Sequence, residues 1–223
     1  MNITENLQKI RAGLPEEVSL VAVSKTRTVE EIMEAYRAGQ RIFGENKIQE
    51  MTEKQQQLPE DIQWHMIGHV QRNKVKYMAG YVSLIHSIDS LALLKEVEKQ
   101  AAKHRRTISC LLQIRIAAED TKYGMTVEAA RELLHSGELR NMKHVCITGL
   151  MGMATFTEDK AQIKKEFLYL KTVYEDLRSL PVPNVRMSVL STGMSDDYNL
   201  ALQCGSTMVR IGSRIFGARQ YSE

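Results

Sequence analysis

Short apolar runs alternate with amphipathic helical segments along this chain. The runs that predict strands cover residues 20–25, 41–44, 62–67, 82–88, 107–116, 145–151, 186–190 and 207–211. Several of them are almost continuously apolar, which is typical of parallel strands that are covered on both faces. Eight such strands separated by helices in 223 residues predict an α/β fold, a compact (β/α)8 TIM barrel that forms a single domain over residues 1–223.

The segments between the strands carry signals for the starts and ends of helices. Residues 28–31 form a Thr-x-x-Glu capping box, and Ser195 with the two aspartates that follow it is expected to open a helix through residue 202. An extra N-terminal helix is predicted over about residues 4–12. The glycines expected to close helices are Gly39, Gly80, Gly137 and Gly205.

A doubly wound open sheet is the alternative to the closed barrel. That fold usually has a glycine-rich turn after its first strand. The loop at residues 24–28 has the sequence Ser-Lys-Thr-Arg-Thr and contains no glycine. The barrel is therefore favoured.

Composition narrows the class of protein. Apolar residues make up 43% of the chain and charged residues 26%, which is ordinary for a soluble globular protein. The net charge of +3 is spread along the chain, so it could attract a small phosphorylated molecule but does not predict nucleic-acid binding. Nothing in residues 1–6 suggests a secretion signal, and no apolar run approaches the roughly 20 residues needed to span a bilayer. The separated cysteines Cys110, Cys146 and Cys204 indicate buried, reduced thiols in a cytoplasmic protein.

Lys25 follows the apolar run at residues 20–23, where the first barrel strand is expected to end. Active sites of (β/α)8 barrels lie at the C-terminal ends of the strands. Desolvation disfavours a charged ammonium, and the free amine forms Schiff bases with carbonyl compounds. The alternative is a lysine that ends the strand and points into water, as most lysines do. Lys122, in a polar turn after the fifth strand, is the other lysine near the predicted mouth of the barrel, but no apolar run of residues directly precedes it.

The ends of the seventh and eighth strands predict a phosphate site. Ser195 offers a hydroxyl at a helix start, and Gly212 and Ser213 offer backbone N–H groups that an anion can approach closely. An ordinary N-cap is the alternative role for Ser195. Arg210 lies on an otherwise apolar strand and needs an acceptor. That acceptor is either a carboxylate of a neighbouring strand or the pyridine nitrogen of a bound cofactor.

His65 and His69 have the spacing of an H-x-x-x-H metal pair. That spacing places two imidazoles together only on a helix, whereas this segment is predicted as a strand followed by a loop. No cysteine or carboxylate completes a ligand set. No metal site is predicted.

Six motifs occur in the order found in a known protein family. They are residues 23–26, 43–46 with 49–50, 64–68 leading to 71–74, 149–151, 193–197 and 205–212. Through them the chain closely resembles the pyridoxal phosphate homeostasis protein family, which is related to the barrel domain of alanine racemase, over essentially its whole length. The resemblance implies a fold-type III barrel that holds pyridoxal 5'-phosphate as a Schiff base.

The resemblance also implies a role for individual residues. Lys25 is the Schiff-base lysine, and Arg210 is the partner of the pyridine nitrogen. The implied phosphate ligands are Ser195, Gly212 and Ser213, and the implied ring-pocket residues are Asn46 and Met194. The sequence departs from the family pattern at Arg115, which is expected on the fifth strand where a small polar residue is common, and at His69 and Lys47.

The function implied by the resemblance is cofactor binding and supply. The protein would hold pyridoxal phosphate, take part in vitamin B6 homeostasis, and have apo-enzymes that use the cofactor as possible recipients. An arginine beside the pyridine nitrogen disfavours its protonation and weakens the ring as an electron sink. Racemases of this fold also take a second acid/base from a C-terminal domain across a dimer, whereas this sequence ends at Glu223. We therefore expect a monomer without substantial turnover.

Two enzymatic hypotheses remain as alternatives. A small amino-acid racemase would use Tyr123, Tyr198 or His65 as its second acid/base. A class I aldolase would use Lys25 without a cofactor, but it does not explain Arg210.

Overall fold

The computed structural model describes residues 2–118 and 123–218. Within this part, eight parallel strands close into a barrel in chain order, with β1 pairing with both β2 and β8. The strands are β1 (Ser19–Val23), β2 (Ile42–Glu45), β3 (Gln63–Met66), β4 (Leu84–Ile88), β5 (Ile108–Gln113), β6 (Val145–Met151), β7 (Val185–Ser191) and β8 (Met208–Ile211). The predicted (β/α)8 barrel is confirmed.

Helices cover the outside of the barrel. They are α1 (Ile3–Ala12), α2 (Val29–Arg37), α3 (Ile48–Gln55), α4 (Val75–Met78) after a 3-10 turn (Arg72–Lys74), α5 (Leu91–Lys103), α6 (Val127–His135), α7 (Gly137–Asn141), α8 (Lys160–Arg178), α9 (Tyr198–Gln203) and α10 (Ser213–Phe216). The predicted N-terminal helix is present as α1 and docks on α10, where the Asn6 side chain donates to the carbonyl of Ile215 at 3.1 Å.

Some of the predicted strands extend beyond the C-terminal ends that the structure shows. β1 ends at Val23 because the chain turns immediately afterwards, with the Arg27 N–H donating to the Ser24 carbonyl at 3.0 Å. Lys25 therefore lies in a turn rather than on the strand. β5 ends at Gln113, so the placement of Arg115 on the fifth strand was wrong. Arg115 is exposed, and its N–H donates to the Met125 carbonyl at 3.0 Å.

The capping box at Thr28 is confirmed, but two other helix signals were misinterpreted. Ser195 does not open α9, because the Asp197 carboxylate accepts the Met194 N–H at 2.6 Å and holds a turn before the helix begins at Tyr198. Gly137 does not close a helix but begins α7, which the Ser136 hydroxyl caps. The positive φ angles of 91° at Gly39 and 87° at Gly205 fit the helix-closing positions predicted for them.

The apolar core has two parts. The larger one lies between the barrel and its helices and includes Trp64 and Phe167. A smaller cluster fills the barrel interior with Val21, Leu84, Leu111, Met151 and Met208. Cys110 and Cys204 are buried as expected, whereas Cys146 is only half-buried because alternate residues of the first half of β6 are partly exposed.

Across the residues described, we find no helix with the length and apolar character needed to cross a membrane.

Candidate functional site

A cavity of about 260 Å³ opens at the C-terminal ends of the barrel strands. All the residues proposed as cofactor contacts line it, namely Lys25, Asn46, Met194, Ser195, Arg210, Gly212 and Ser213. They come from the loops after β1, β2 and β7 and from the end of β8, so barrel closure is what brings them together. Lys122, the rival lysine, lies outside the described residues.

Lys25 reaches the cavity from the turn that follows β1. Successive side chains of a strand point to opposite faces, so Val21, in the interior cluster, and Val23, in the cavity wall, share the interior face of β1. Lys25 lines the same cavity from the turn, two residues after the strand ends. Lys25 is half-buried in this wall.

The loops after β7 and β8 meet through one hydrogen bond. The Gly212 N–H donates to Ser195 Oγ at 3.2 Å, which leaves the hydroxyl proton of Ser195 available to another acceptor. Ser213 begins α10, and the first N–H groups of a helix have no acceptor within it. A side chain at Gly212 would place its Cβ 3.2 Å from both Cβ and the carbonyl oxygen of Val23. The missing side chain therefore lets this donor-rich loop lie close to β1.

Arg210 is buried in the cavity wall with its guanidinium bonded to neutral groups. Nη1 donates to the carbonyl of Ser191 at 2.9 Å and to its Oγ at 2.6 Å, and Nη2 donates to the Gly152 carbonyl at 3.3 Å. Among the described residues no carboxylate forms a hydrogen bond with it, so the neighbouring-strand carboxylate considered above is not its acceptor. Burial lowers the pKa of Arg210 to about 10, which still leaves it protonated at neutral pH.

Two buried histidines continue this network inside the barrel. Ser191 Oγ lies 3.1 Å from His86 Nδ1, and His86 Nε2 lies 3.0 Å from His65 Nδ1. Arg210 donates to Ser191 Oγ, so Ser191 links the guanidinium to the His86 ring, and His86 in turn links it to His65. Burial lowers the pKa of His65 to about 3 and that of His86 well below its ordinary value. Both rings are therefore neutral, and Arg210 is the one charged member of this network.

The other residues considered for chemistry lie away from the cavity wall. His69 Nδ1 is 3.3 Å from a carboxylate oxygen of Asp89, and its ring stacks on Tyr123 with centroids 4.4 Å apart. Tyr198 lies under the Arg214 guanidinium, 5.5 Å from its ring centroid. None of His65, Tyr123 and Tyr198 lines the cavity. His69 and Lys47 line an adjacent smaller pocket that shares Asn46 with it.

Six residues of this wall were not predicted as cofactor contacts, namely Val23, Arg27, Ile67, Met153, Asp196 and Gly217. The Arg27 guanidinium donates to the Gly217 carbonyl at 2.5 Å and lies 3.3 Å from Glu31. It brings a second cation to the cavity. The signal available was its place two residues after Lys25, but a sequence does not show in which direction a loop side chain points.

Glu45 is completely buried beside the turn that carries Lys25. Its Oε1 accepts the Ser24 hydroxyl at 2.6 Å and the Lys54 ammonium at 2.8 Å, whereas Oε2 has no hydrogen-bond partner among the described residues. Burial raises the pKa of Glu45 from 4.5 to about 7, against the opposing effect of Lys54. Glu45 is therefore partly protonated near neutral pH.

The pH dependence of the free energy of unfolding should show the titration of Glu45. A folded-state pKa above the unfolded value of 4.5 gives a contribution that is complete below pH 4.5 and is lost as pH rises through about 7. We expect Glu45 to lower the free energy of unfolding by about 3 kcal/mol across that window. Urea unfolding at several pH values should show this slope, and Glu45→Gln should flatten it. An equally steep slope in the variant would contradict the assignment.

The chain is similar over its whole length to proteins of one family. Residues 1–220 match the family model described as alanine racemase, N-terminal domain. The chain is 37% identical to the pyridoxal phosphate homeostasis protein of Pasteurella multocida, with 100% of both chains covered. It is 35% identical to the protein of that name from Escherichia coli K12, with 100% of this chain and 99% of that one covered.

Solved structures agree with the sequence relatives. PipY of Synechococcus elongatus PCC7942 with pyridoxal phosphate bound is 36% identical and superposes with a TM-score of 0.87, covering 96% of this chain and 100% of that one. Alanine racemase from E. faecalis, at 17% identity and a TM-score of 0.73, shares the fold over 98% of this chain and 58% of the racemase.

Proposed function

Because the chain belongs to the pyridoxal phosphate homeostasis protein family, built on the alanine racemase N-terminal domain, we propose that it binds pyridoxal phosphate in the cavity at the barrel mouth and holds it covalently through Lys25. The observation that carries this proposal is the convergence of an amine, a donor-rich loop pair and a buried cation on one cavity. A phosphorylated aldehyde with a ring nitrogen needs each of these groups.

The donor set fits the parts of the cofactor. The phosphate would be held by the Ser195 hydroxyl and by backbone N–H groups at Gly212 and Ser213, beside the additional positive charge of Arg27. Asn46 and Met194 would flank the ring, and Arg210 would face its nitrogen. When bound, the cofactor supplies an aldehyde that bonds reversibly to amines and a ring that can accept electrons.

We propose that the protein carries and supplies the cofactor rather than turning over a substrate. Arg210 keeps its own proton at neutral pH and would not pass one to the ring nitrogen. None of the three side chains suggested as a second acid/base lines the cavity. A racemase needs acid/base groups on both faces of the substrate Cα. These observations favour binding and release, with apo-enzymes that use the cofactor as recipients.

Monomeric state and cytoplasmic location stay predictions within this proposal. A closed barrel leaves no sheet edge for pairing with a second copy, which is the physical reason for expecting a monomer.

Binding and Cα exchange together test the proposal. Equilibrium dialysis should show one molecule of pyridoxal phosphate bound per chain, and much weaker binding of pyridoxal, because pyridoxal lacks the phosphate that the loop donors recognise. In deuterated water, the loaded protein should catalyse no multiple-turnover Cα exchange of D- or L-alanine by NMR. Exchange over many turnovers that is lost in Lys25→Ala would favour the racemase hypothesis. Failure to bind pyridoxal phosphate would reject both.

A further inference from the structure

The motif that runs from Gly44 to Glu50 contains two carboxylates that the proposed cofactor site does not use. Glu45 ends β2, and Glu50 lies in the first turn of α3. Lys54, one helical turn after Glu50, is itself buried with 6% of its surface exposed. A buried lysine is costly unless its charge is paired and its donors are used.

Lys54 uses its three donors on three acceptors. Its ammonium donates to Glu45 Oε1 at 2.8 Å, to Glu50 Oε1 at 2.7 Å and to the carbonyl oxygen of Ser24 at 2.8 Å. The last acceptor belongs to the residue immediately before Lys25. Lys54 of α3 therefore holds the backbone of the Lys25 turn from one side.

Glu50 holds the same turn from the other side. Its Oε1 accepts the N–H of Thr26, the residue immediately after Lys25, at 2.5 Å. Thr26 has a φ of 63°, a left-handed conformation that is unfavourable for a β-branched residue and is kept only where surrounding contacts enforce it. Lys25 thus lies between two backbone groups that the same helix fixes.

Resting on the proposed function, we infer that Glu45, Glu50 and Lys54, here termed the Lys25 clamp, are positioning residues that set the direction of the Lys25 amine toward the cofactor aldehyde. The clamp touches the backbone on both sides of Lys25, and none of its members lines the cofactor cavity. Its loss should therefore slow the covalent step without weakening recognition of the phosphate. A displacement of about 1 Å at a reacting group can cost up to roughly a hundredfold in rate.

The test compares two ligands in four variants. Pyridoxal phosphate reports the covalent step, by its absorbance change on mixing and by borohydride trapping on Lys25. Pyridoxamine 5'-phosphate has no aldehyde and reports phosphate and ring binding alone. The variants are Lys54→Met, the charge-neutral pair Glu45→Gln with Lys54→Met, Glu50→Ala, and the control Glu98→Gln. Glu98 accepts the N–H groups of Lys143 and His144 at the opposite end of the barrel.

We expect the three clamp variants to bond pyridoxal phosphate roughly tenfold more slowly and to bind pyridoxamine 5'-phosphate within about twofold of wild type. The control should match wild type with both ligands. Adding Thr26→Gly to Glu50→Ala should restore part of the rate, since glycine adopts a positive φ without strain. If the clamp only stabilised the fold, its loss would weaken the binding of both ligands to the same extent, and Thr26→Gly would not restore the rate.

Two outcomes separate the inference from the function it rests on. In the first, wild type bonds pyridoxal phosphate at Lys25 and every clamp variant that folds does so at the wild-type rate. That result would refute the positioning role of the clamp and leave the proposed function standing. If wild type forms no bond at Lys25, the proposed function fails first. Glu50→Ala keeps the test decisive if Lys54→Met does not fold, because Glu50 is only partly buried, with 23% of its side chain exposed.

Discussion

Lys25→Ala should abolish the attachment of pyridoxal phosphate that survives borohydride reduction and denaturation. In wild type, peptide mapping should find about one label per chain on the peptide containing Lys25, because this half-buried amine lines the cavity that also holds the phosphate donors. The variant should still bind the cofactor reversibly, because Ser195, Gly212 and Ser213 are unchanged. The trapped label should fall to the level of nonspecific reaction with surface lysines.

Lys47→Ala is the matched control for this prediction. Lys47 is an exposed lysine in the adjacent pocket and shares Asn46 as a neighbour with the cofactor cavity. Its removal should leave the label on Lys25 unchanged in amount. Recovery of a full label on Lys74 or Lys122 in wild type would refute the assignment of Lys25.

The sequence predicted the parts of this site that depend on strand order. Closure of eight strands places the ends of β1, β2, β7 and β8 around one opening, and every residue predicted there lines the cavity. Lys25 could be identified because a dry strand precedes it, and Gly212 because a glycine next to a serine is a recognisable anion-binding signal. Each of these residues was identified by a local sequence pattern, and the regular order of the strands in the barrel brings them together.

The contacts that hold those residues could not be predicted in the same way. The acceptors of Arg210 belong to Ser191 and Gly152, on neighbouring parts of the barrel that are 19 and 58 residues away in sequence. Lys54 reaches the Ser24 carbonyl across 30 residues. Such partners depend on strand register and on side-chain rotamers, which the pattern of apolar positions does not determine.

Ser195 shows how a local signal can mislead about structure while still locating a residue correctly. A serine followed by two aspartates predicts a helix start, but Asp197 takes the Met194 N–H first and delays the helix to Tyr198. The Ser195 hydroxyl is consequently turned to the Gly212 N–H. Its expected part in phosphate binding therefore rests on its contact with the next loop and not on a helix cap.

Ser195→Asp should weaken binding of pyridoxal phosphate strongly while the protein stays folded. The substitution places a carboxylate beside the bound phosphate, and two unit charges about 4 Å apart repel by about 4 kcal/mol at an effective dielectric constant of about 20. That energy corresponds to a loss of affinity of roughly a thousandfold. The Gly212 N–H can donate to the new carboxylate as it does to Ser195 Oγ, so the junction between the two loops should persist.

Three comparisons make this prediction specific. Ser188→Asp adds the same charge at an exposed position on β7 and should leave the affinity unchanged. Ser195→Ala removes one donor without adding a charge and should cost far less than Ser195→Asp. Pyridoxal has no phosphate, so its weak binding should be nearly the same in wild type and in Ser195→Asp. Dialysis or titration calorimetry measures all of these affinities, and thermal unfolding checks the fold. If the variant binds pyridoxal phosphate as tightly as wild type does, the phosphate does not lie against Ser195.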